Sequence, residues 1–145
     1  ATELGVAAFT PMVSDRTEVK LDQERSHKRL MHWQGVIRSA CEQSGRASIP
    51  AVHAPIAINR LDNASVLNQA FYLHPGAPLR ASELQTFEHP DVNLAIGPEG
   101  GFSERDIQLL QNAGFKGLTI GPRILRTETA GIALIAALQC RYGDW

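Results

Sequence analysis

Apolar and polar positions recur with two different periods along this chain, and the switches between them predict its elements. Residues 6 to 13 (VAAFTPMV) are short and β-rich, and the polar turn Ser14-Asp15-Arg16-Thr17 follows. From about residue 22 to 44 the period lengthens. Leu30, Trp33, Ile37, Ala40 and Ser44 fall on one helical stripe, Arg25, Lys28, Arg29, Arg38 and Glu42 lie largely off it, and Gly45 supplies the stop. Ile49 to His53 predicts a second strand, and Pro55 to Ala64 a connection with one helical turn. Ala70 to His74 predicts a third strand, closed by Pro75-Gly76-Ala77-Pro78.

In the second half, Asp91 to Ile96 and Gly117 to Ile120 are short apolar runs. Between them Ser103 to Ala113 carries a capping-box pattern, Ser103 with Asp106 three residues on, ended by Gly114. Strand, loop, helix and strand in that order make a βαβ unit, so the expected class is α/β with a mostly parallel sheet flanked by helices. Residues 127 to 142 form the last helix. From Ala130 to Cys140 only Gly131 and Gln139 interrupt an apolar surface that runs right round it. Such a helix needs cover on every side, and a homodimer is the expected solution.

The composition narrows the class. A chain of 145 residues with 43% hydrophobic and 20% charged residues fits one ordinary soluble domain, and no apolar run is long enough to cross a bilayer. Cys41 and Cys140 are far apart in helix-like stretches without metal or redox spacing, so reduced buried thiols and a cytoplasmic setting are expected. Ala1-Thr2-Glu3-Leu4-Gly5 reads as the tail of a helix stopped by Gly5, which points to a segment upstream. The formal net charge of −1 argues against a bulk nucleic-acid binder. It hides a local bias: eleven of the fourteen basic residues are Arg, and Arg16, Lys20, Arg25, Lys28 and Arg29 crowd one early segment. That cluster reads either as a solvated helix face or as an RNA footprint.

The chemistry concentrates in an echo. Ile96-Gly97-Pro98 returns as Ile120-Gly121-Pro122, each just after a short strand, so both loops are expected at the carboxyl edge of the sheet, where open α/β sheets bind ligands. Proline at 98 and 122 pushes the glycine before it out of the helical region. Three glycines in Gly97-Pro98-Glu99-Gly100-Gly101 let a ligand approach main-chain N–H groups, and the helix that follows adds free donors and its positive end. The phosphate motifs fail, because GPEGGFS lacks a P-loop lysine and has G-x-x-G-G spacing rather than G-x-G-x-x-G. The five histidines give no metal spacing, and no G-x-S-x-G elbow is present. Ligand capture by backbone remains. In the second loop Arg126, Thr127, Glu128 and Thr129 stand at a helix N-terminus, where Thr127 or Thr129 is placed to cap and Arg126 and Glu128 either face the cleft or pair with each other.

The stretches "ATELGV", "EQSGR", "IGPEGGFS" and "GPRILRTETAGIAL" resemble the ribosomal RNA small subunit methyltransferase E family, in the SPOUT superfamily of knotted methyltransferases, from Ala1 to the end of the chain. The last two motifs are long and specific. The resemblance implies a C-terminal trefoil knot, S-adenosylmethionine as cofactor, a homodimer, and methylation of N3 of a uridine in 16S rRNA of the small ribosomal subunit. It makes residues 1 to 145 the catalytic domain, without the N-terminal PUA-like RNA-binding domain of the family. It assigns the cofactor to Leu73 and His74, to Gly97, Pro98, Glu99, Gly100 and Gly101, and to a segment comprising Leu118, Ile120, Gly121, Ile124, Leu125, Arg126, Thr129 and Ala130.

Within that reading few catalytic side chains are needed, because positioning and desolvation supply most of the rate. Arg126 is the candidate for stabilising a developing uracil anion, and Glu128 for general base or for orienting Arg126. Arg16 and Arg46 are the RNA-binding candidates, Arg46 alternatively structuring the edge of the site. No metal is expected. Two rivals stay open: a ribose 2′-O-methylating enzyme of the same superfamily, and a non-catalytic module that binds adenosyl ligands and dimerises.

Overall fold

The computed structural model describes residues 1–17, 23–61, 69–85 and 91–145. The β-rich stretch near the start forms two strands rather than one, β1 (Ala8–Phe9) and β2 (Met12–Val13). Pro11 between them has no N–H for a ladder, and each strand takes its own partner further along. Helix α1 (Gln23–Ser44) is followed by β3 (Ala51–Val52), which lies parallel to β1, and by β4 (Ile56–Ala57), which lies parallel to β2. A single 3-10 turn at Ile58–Arg60 supplies the helical turn expected in the connection, whose last three predicted residues, 62 to 64, lie outside the described ones. The α1 stripe buries Ile37 and half-buries Leu30, Trp33 and Ala40, whereas Ser44 is exposed and bonds back to the Ala40 carbonyl at 2.7 Å.

The main sheet follows. Its strands are β5 (Ala70–Leu73), β6 (Leu79–Arg80), β7 (Asn93–Ala95) and β8 (Lys116–Thr119), in the order β6-β8-β5-β7 with every neighbouring pair parallel. Strands β4 and β6 are additions to the predicted set, two residues each and too short to show a period. Helix α2 (Glu104–Asn112) carries the chain from β7 over to β8 on the far side of β5, which is the expected βαβ unit. Helix α3 (Thr127–Tyr142) closes the described chain.

Alternation along β5 divides the core. Ala70 and Tyr72 point to one face, where Ala95, Phe102, Leu110, Ala113 and Phe115 pack with α2; the ring of Phe102 meets Tyr72 edge-on, with centroids 6.4 Å apart. Phe71 points to the other, with Leu84, Leu118 and Leu134 of α3. The result is three layers, helix on sheet on helix.

Two expectations are corrected here. Cys41 is buried, but Cys140 is exposed on α3, because that helix turns one flank away from the sheet. The same flank leaves Ile132 51% exposed, so only part of the all-round apolar surface is covered within one chain, and Leu134 is its fully buried residue. Among the described residues no helix is long and apolar enough to cross a membrane, and no group of three or more metal-ligating side chains assembles.

Candidate functional site

The first loop leaves β7 and turns sharply. Gly101 N–H donates to the Pro98 carbonyl at 2.8 Å and Gly101 has φ +68°, a left-handed conformation that side-chain-bearing residues rarely adopt. Gly97 is needed for closeness instead, since a Cβ there would stand 3.3 Å from both the ring and the backbone nitrogen of Phe102. Ser103 then caps α2: its hydroxyl accepts from Asp106 N–H at 3.0 Å, and the Asp106 carboxylate accepts from Ser103 N–H at 3.0 Å, completing the capping box read from the sequence.

The second loop leaves β8. Thr119 Oγ1 donates to the Gly121 carbonyl at 3.3 Å, and Gly121 has φ +156°. The turn delivers Arg126 to the N-cap of α3, where the backbone is extended and no side chain caps the helix. Thr127 and Thr129 therefore sit inside the first turn and neither takes the capping role expected of them. The third wall is the exit of β5, held by His74 N–H on the Leu118 carbonyl at 3.0 Å and by Gly76 N–H on His74 Nδ1 at 3.2 Å.

These three exits enclose one cavity of about 790 Å³. Leu73, His74, the whole run Gly97 to Gly101, Leu118, Ile120, Ile124, Leu125, Arg126, Glu128 and Ala130 line it. The lining also includes Pro75, Ile96, Phe102, Thr119, Arg123 and Thr127, most of them neighbours of the residues already singled out. Arg16 lines it too, coming from the polar turn far upstream. Periodicity carries no signal for such a long-range visitor.

Three of the named residues are placed elsewhere. Thr129 lines a neighbouring groove of about 290 Å³ with Glu128, Ile132 and Ala133, because it lies one step round α3 from Ala130. Gly121 shapes the turn without lining the cavity. Arg46 donates through Nη1 to the carbonyls of Thr2 at 2.9 Å and Val6 at 2.7 Å, which fastens the end of α1 to the first residues of the chain.

The charges of the cavity are unequal: Arg16, Arg123 and Arg126 against Glu99 and Glu128. Among the described residues no hydrogen bond or ion pair engages the side chains of Arg123, Arg126 or Glu128, so the pairing of Arg126 with Glu128 is not formed. Apolar lining, glycine backbone and unpaired guanidinium groups together suit a ligand with a flat apolar part and polar or anionic ends. An added Cβ at Gly101 or Gly121 meets no protein atom within 4 Å, so both loops keep open space beside them.

A parallel sheet with two glycine-proline exits around one cleft defines an α/β ligand-binding domain of the kind that holds small molecules at its carboxyl edge. The chain belongs to the RNA methyltransferase domain family, whose model matches residues 1–139. A relative from Buchnera aphidicola subsp. Schizaphis graminum, named ribosomal RNA small subunit methyltransferase E, is 37% identical over 145 residues, 99% of this chain and 58% of its own length. A methyltransferase structure from Legionella pneumophila, solved in complex with the cofactor SAM, matches at TM-score 0.91 and 40% identity over 99% of this chain and 59% of that one. A ribosomal RNA small subunit methyltransferase E from Neisseria gonorrhoeae, bound to S-adenosyl methionine, matches at TM-score 0.84 and 37% identity, again over 99% and 59%. The chain thus spans less than two thirds of each of these relatives.

Proposed function

We propose that this chain is the catalytic domain of an S-adenosylmethionine-dependent methyltransferase that modifies N3 of a uridine in the 16S rRNA of the small ribosomal subunit. The observation that carries the reading is the convergence of both Ile-Gly-Pro loops on one cavity, with Arg126 on its wall and unpaired among the described residues. Similar chains from Legionella and Neisseria that hold this cofactor support it.

The residues present fit the cofactor. Leu73, Ile96, Leu118, Ile120 and Leu125 offer apolar walls for an adenine ring, the glycines of residues 97 to 101 offer backbone polar groups without intervening Cβ atoms, and Ala130 adds a small apolar surface. When bound, S-adenosylmethionine supplies an already activated methyl group. The protein's part is then to bring the uracil edge to that group, to exclude water and to manage one proton. Arg126 holds a uracil oxygen and stabilises the charge that develops as N3–H is lost. Glu128, exposed at the same helix end, takes the proton or steers Arg126. Arg46 keeps the edge of the domain in place through its two carbonyl contacts and has no part in the chemistry.

The same reading extends to architecture and setting. A trefoil knot through the loops around residues 97 to 130, a homodimer on the exposed flank of α3 and a cytoplasmic site of action complete it. The test is calorimetric titration with S-adenosylmethionine and S-adenosylhomocysteine, followed by methyl transfer to small subunits and digestion of the product to nucleosides. N3-methyluridine is expected. A ribose methyl group selects the 2′-O-methylating rival, and ligand binding without any transfer selects the non-catalytic module.

A further inference from the structure

Arg16, in the polar turn Ser14 to Thr17, lies 84 residues upstream of Gly100 in the first glycine loop and touches it directly. The turn holds its own shape: Ser14 N–H donates to Thr17 Oγ1 at 2.9 Å, and Thr17 N–H donates to the Ser14 carbonyl at 3.1 Å. It docks at two points. Asp15 N–H donates to both oxygens of the Asp106 carboxylate, at 3.2 and 3.3 Å, while the Asp15 carboxylate accepts from Ser103 Oγ at 2.8 Å and from Arg105 Nη1 at 3.3 Å. Asp106 is only 2% exposed, so this anchor is a buried carboxylate held by the Asp15 and Ser103 N–H donors and is costly to disturb. From that fixed point the Arg16 side chain reaches across the mouth of the loop and donates through Nη1 to the Gly100 carbonyl. Its stem lies close enough that a Cβ on Gly100 would stand 3.4 Å from Arg16 Cδ.

We propose that Arg16 is a positioning residue for the cofactor: it holds the Gly100-Gly101 turn in the ligand-receiving shape, with the Asp15–Asp106 contact as its footing. The inference rests on the cofactor reading given above and deepens it. It also gives Arg16 a different task from binding RNA. A guanidinium suits the task because one arm spends itself on the carbonyl while the planar group still lines the cavity. The glycines that open the loop to a ligand also leave it loose, and a strut from another part of the chain restores the order that binding requires.

The test compares Arg16→Ala, Arg16→Lys and the charge control Arg38→Ala with the unaltered protein. Loss of one charge-assisted hydrogen bond predicts a rise of about tenfold in the Kd for S-adenosylhomocysteine and in the KM for S-adenosylmethionine, with kcat within about twofold. Arg16→Lys recovers part of the loss, since an ammonium still donates to the Gly100 carbonyl, and Arg38→Ala changes nothing. Amide resonances of Gly100, Gly101 and Phe102, recorded without ligand, shift and broaden in Arg16→Ala alone. Unchanged loop amides and unchanged cofactor affinity, with weaker RNA binding in their place, overturn the proposal and make Arg16 an RNA contact. Failure of the unaltered protein to bind either adenosyl compound removes the cofactor reading instead, and the ligand-free loop amides still decide whether Arg16 holds the loop.

Discussion

Arg126 stands at a helix N-cap with no side-chain partner among the described residues, on the wall of the cavity. An unengaged guanidinium costs the fold little to remove, so its loss is felt in the reaction and not in stability. Arg126→Ala is expected to lower turnover on the order of a hundredfold while changing cofactor Kd less than about threefold, as read by single-turnover methyl transfer and calorimetry. Unchanged turnover takes Arg126 out of the mechanism. Single residues were legible where local chemistry defines them: proline after glycine at 97–98 and 121–122, and serine with aspartate at 103 and 106. Residues defined by distant neighbours were not. Nothing in the sequence near Arg46 announces that its guanidinium serves the Thr2 and Val6 carbonyls, and nothing near Gly117 announces that an added Cβ would fall 2.8 Å from the Tyr72 hydroxyl.

At the scale of elements, helix α2 shows how much one cap can carry. Ser103 accepts from Asp106 N–H and donates to Asp15, so it joins the helix start, the glycine loop and the upstream turn. Ser103→Ala is expected to cost about 1–2 kcal/mol in urea unfolding, the usual loss of a cap plus one further hydrogen bond. Asn in its place retains a capping oxygen and recovers most of that. A loss below a few tenths of a kcal/mol means that the cap is redundant. The helices and strands β5, β7 and β8 were readable because each has a period or a boundary signal. The two-residue strands β4 and β6 lie in stretches without such a signal and escaped, and the one expected strand near the start proved to be two. The bounds of α3 agree with the expected 127 to 142, but its cap does not: two threonines are candidates by residue type, and the backbone places both inside the helix behind Arg126.

For the whole molecule, one flank of α3 leaves apolar residues uncovered. Thr129, Ile132, Ala133, Ala137 and Cys140 are exposed along it, beside the Glu128 end of the cavity. A second copy covering that flank would bury the apolar residues and bring its own groups near the site. Ile132→Glu places a charge in such an interface, and light scattering at micromolar concentration is expected to show half the mass of the unaltered protein, with far-ultraviolet circular dichroism unchanged. If the unaltered protein already runs at the mass of one chain, the interface does not exist. The α/β class and the parallel sheet could be inferred from strand–helix alternation, whereas the order β6-β8-β5-β7 could not, because period alone does not say which strands become neighbours.

The cavity draws its walls from residue 16, residues 73 to 75, residues 96 to 102 and ten residues between 118 and 130. None of these four stretches supplies half of the lining by itself, so filling the cavity is coupled to their coming together. An adenosyl ligand at a hundred times its Kd would stabilise the native state by about 2.7 kcal/mol, and the midpoint of thermal melting would climb by several degrees in proportion. Heat resistance thereby becomes a gauge of whether four remote stretches have met.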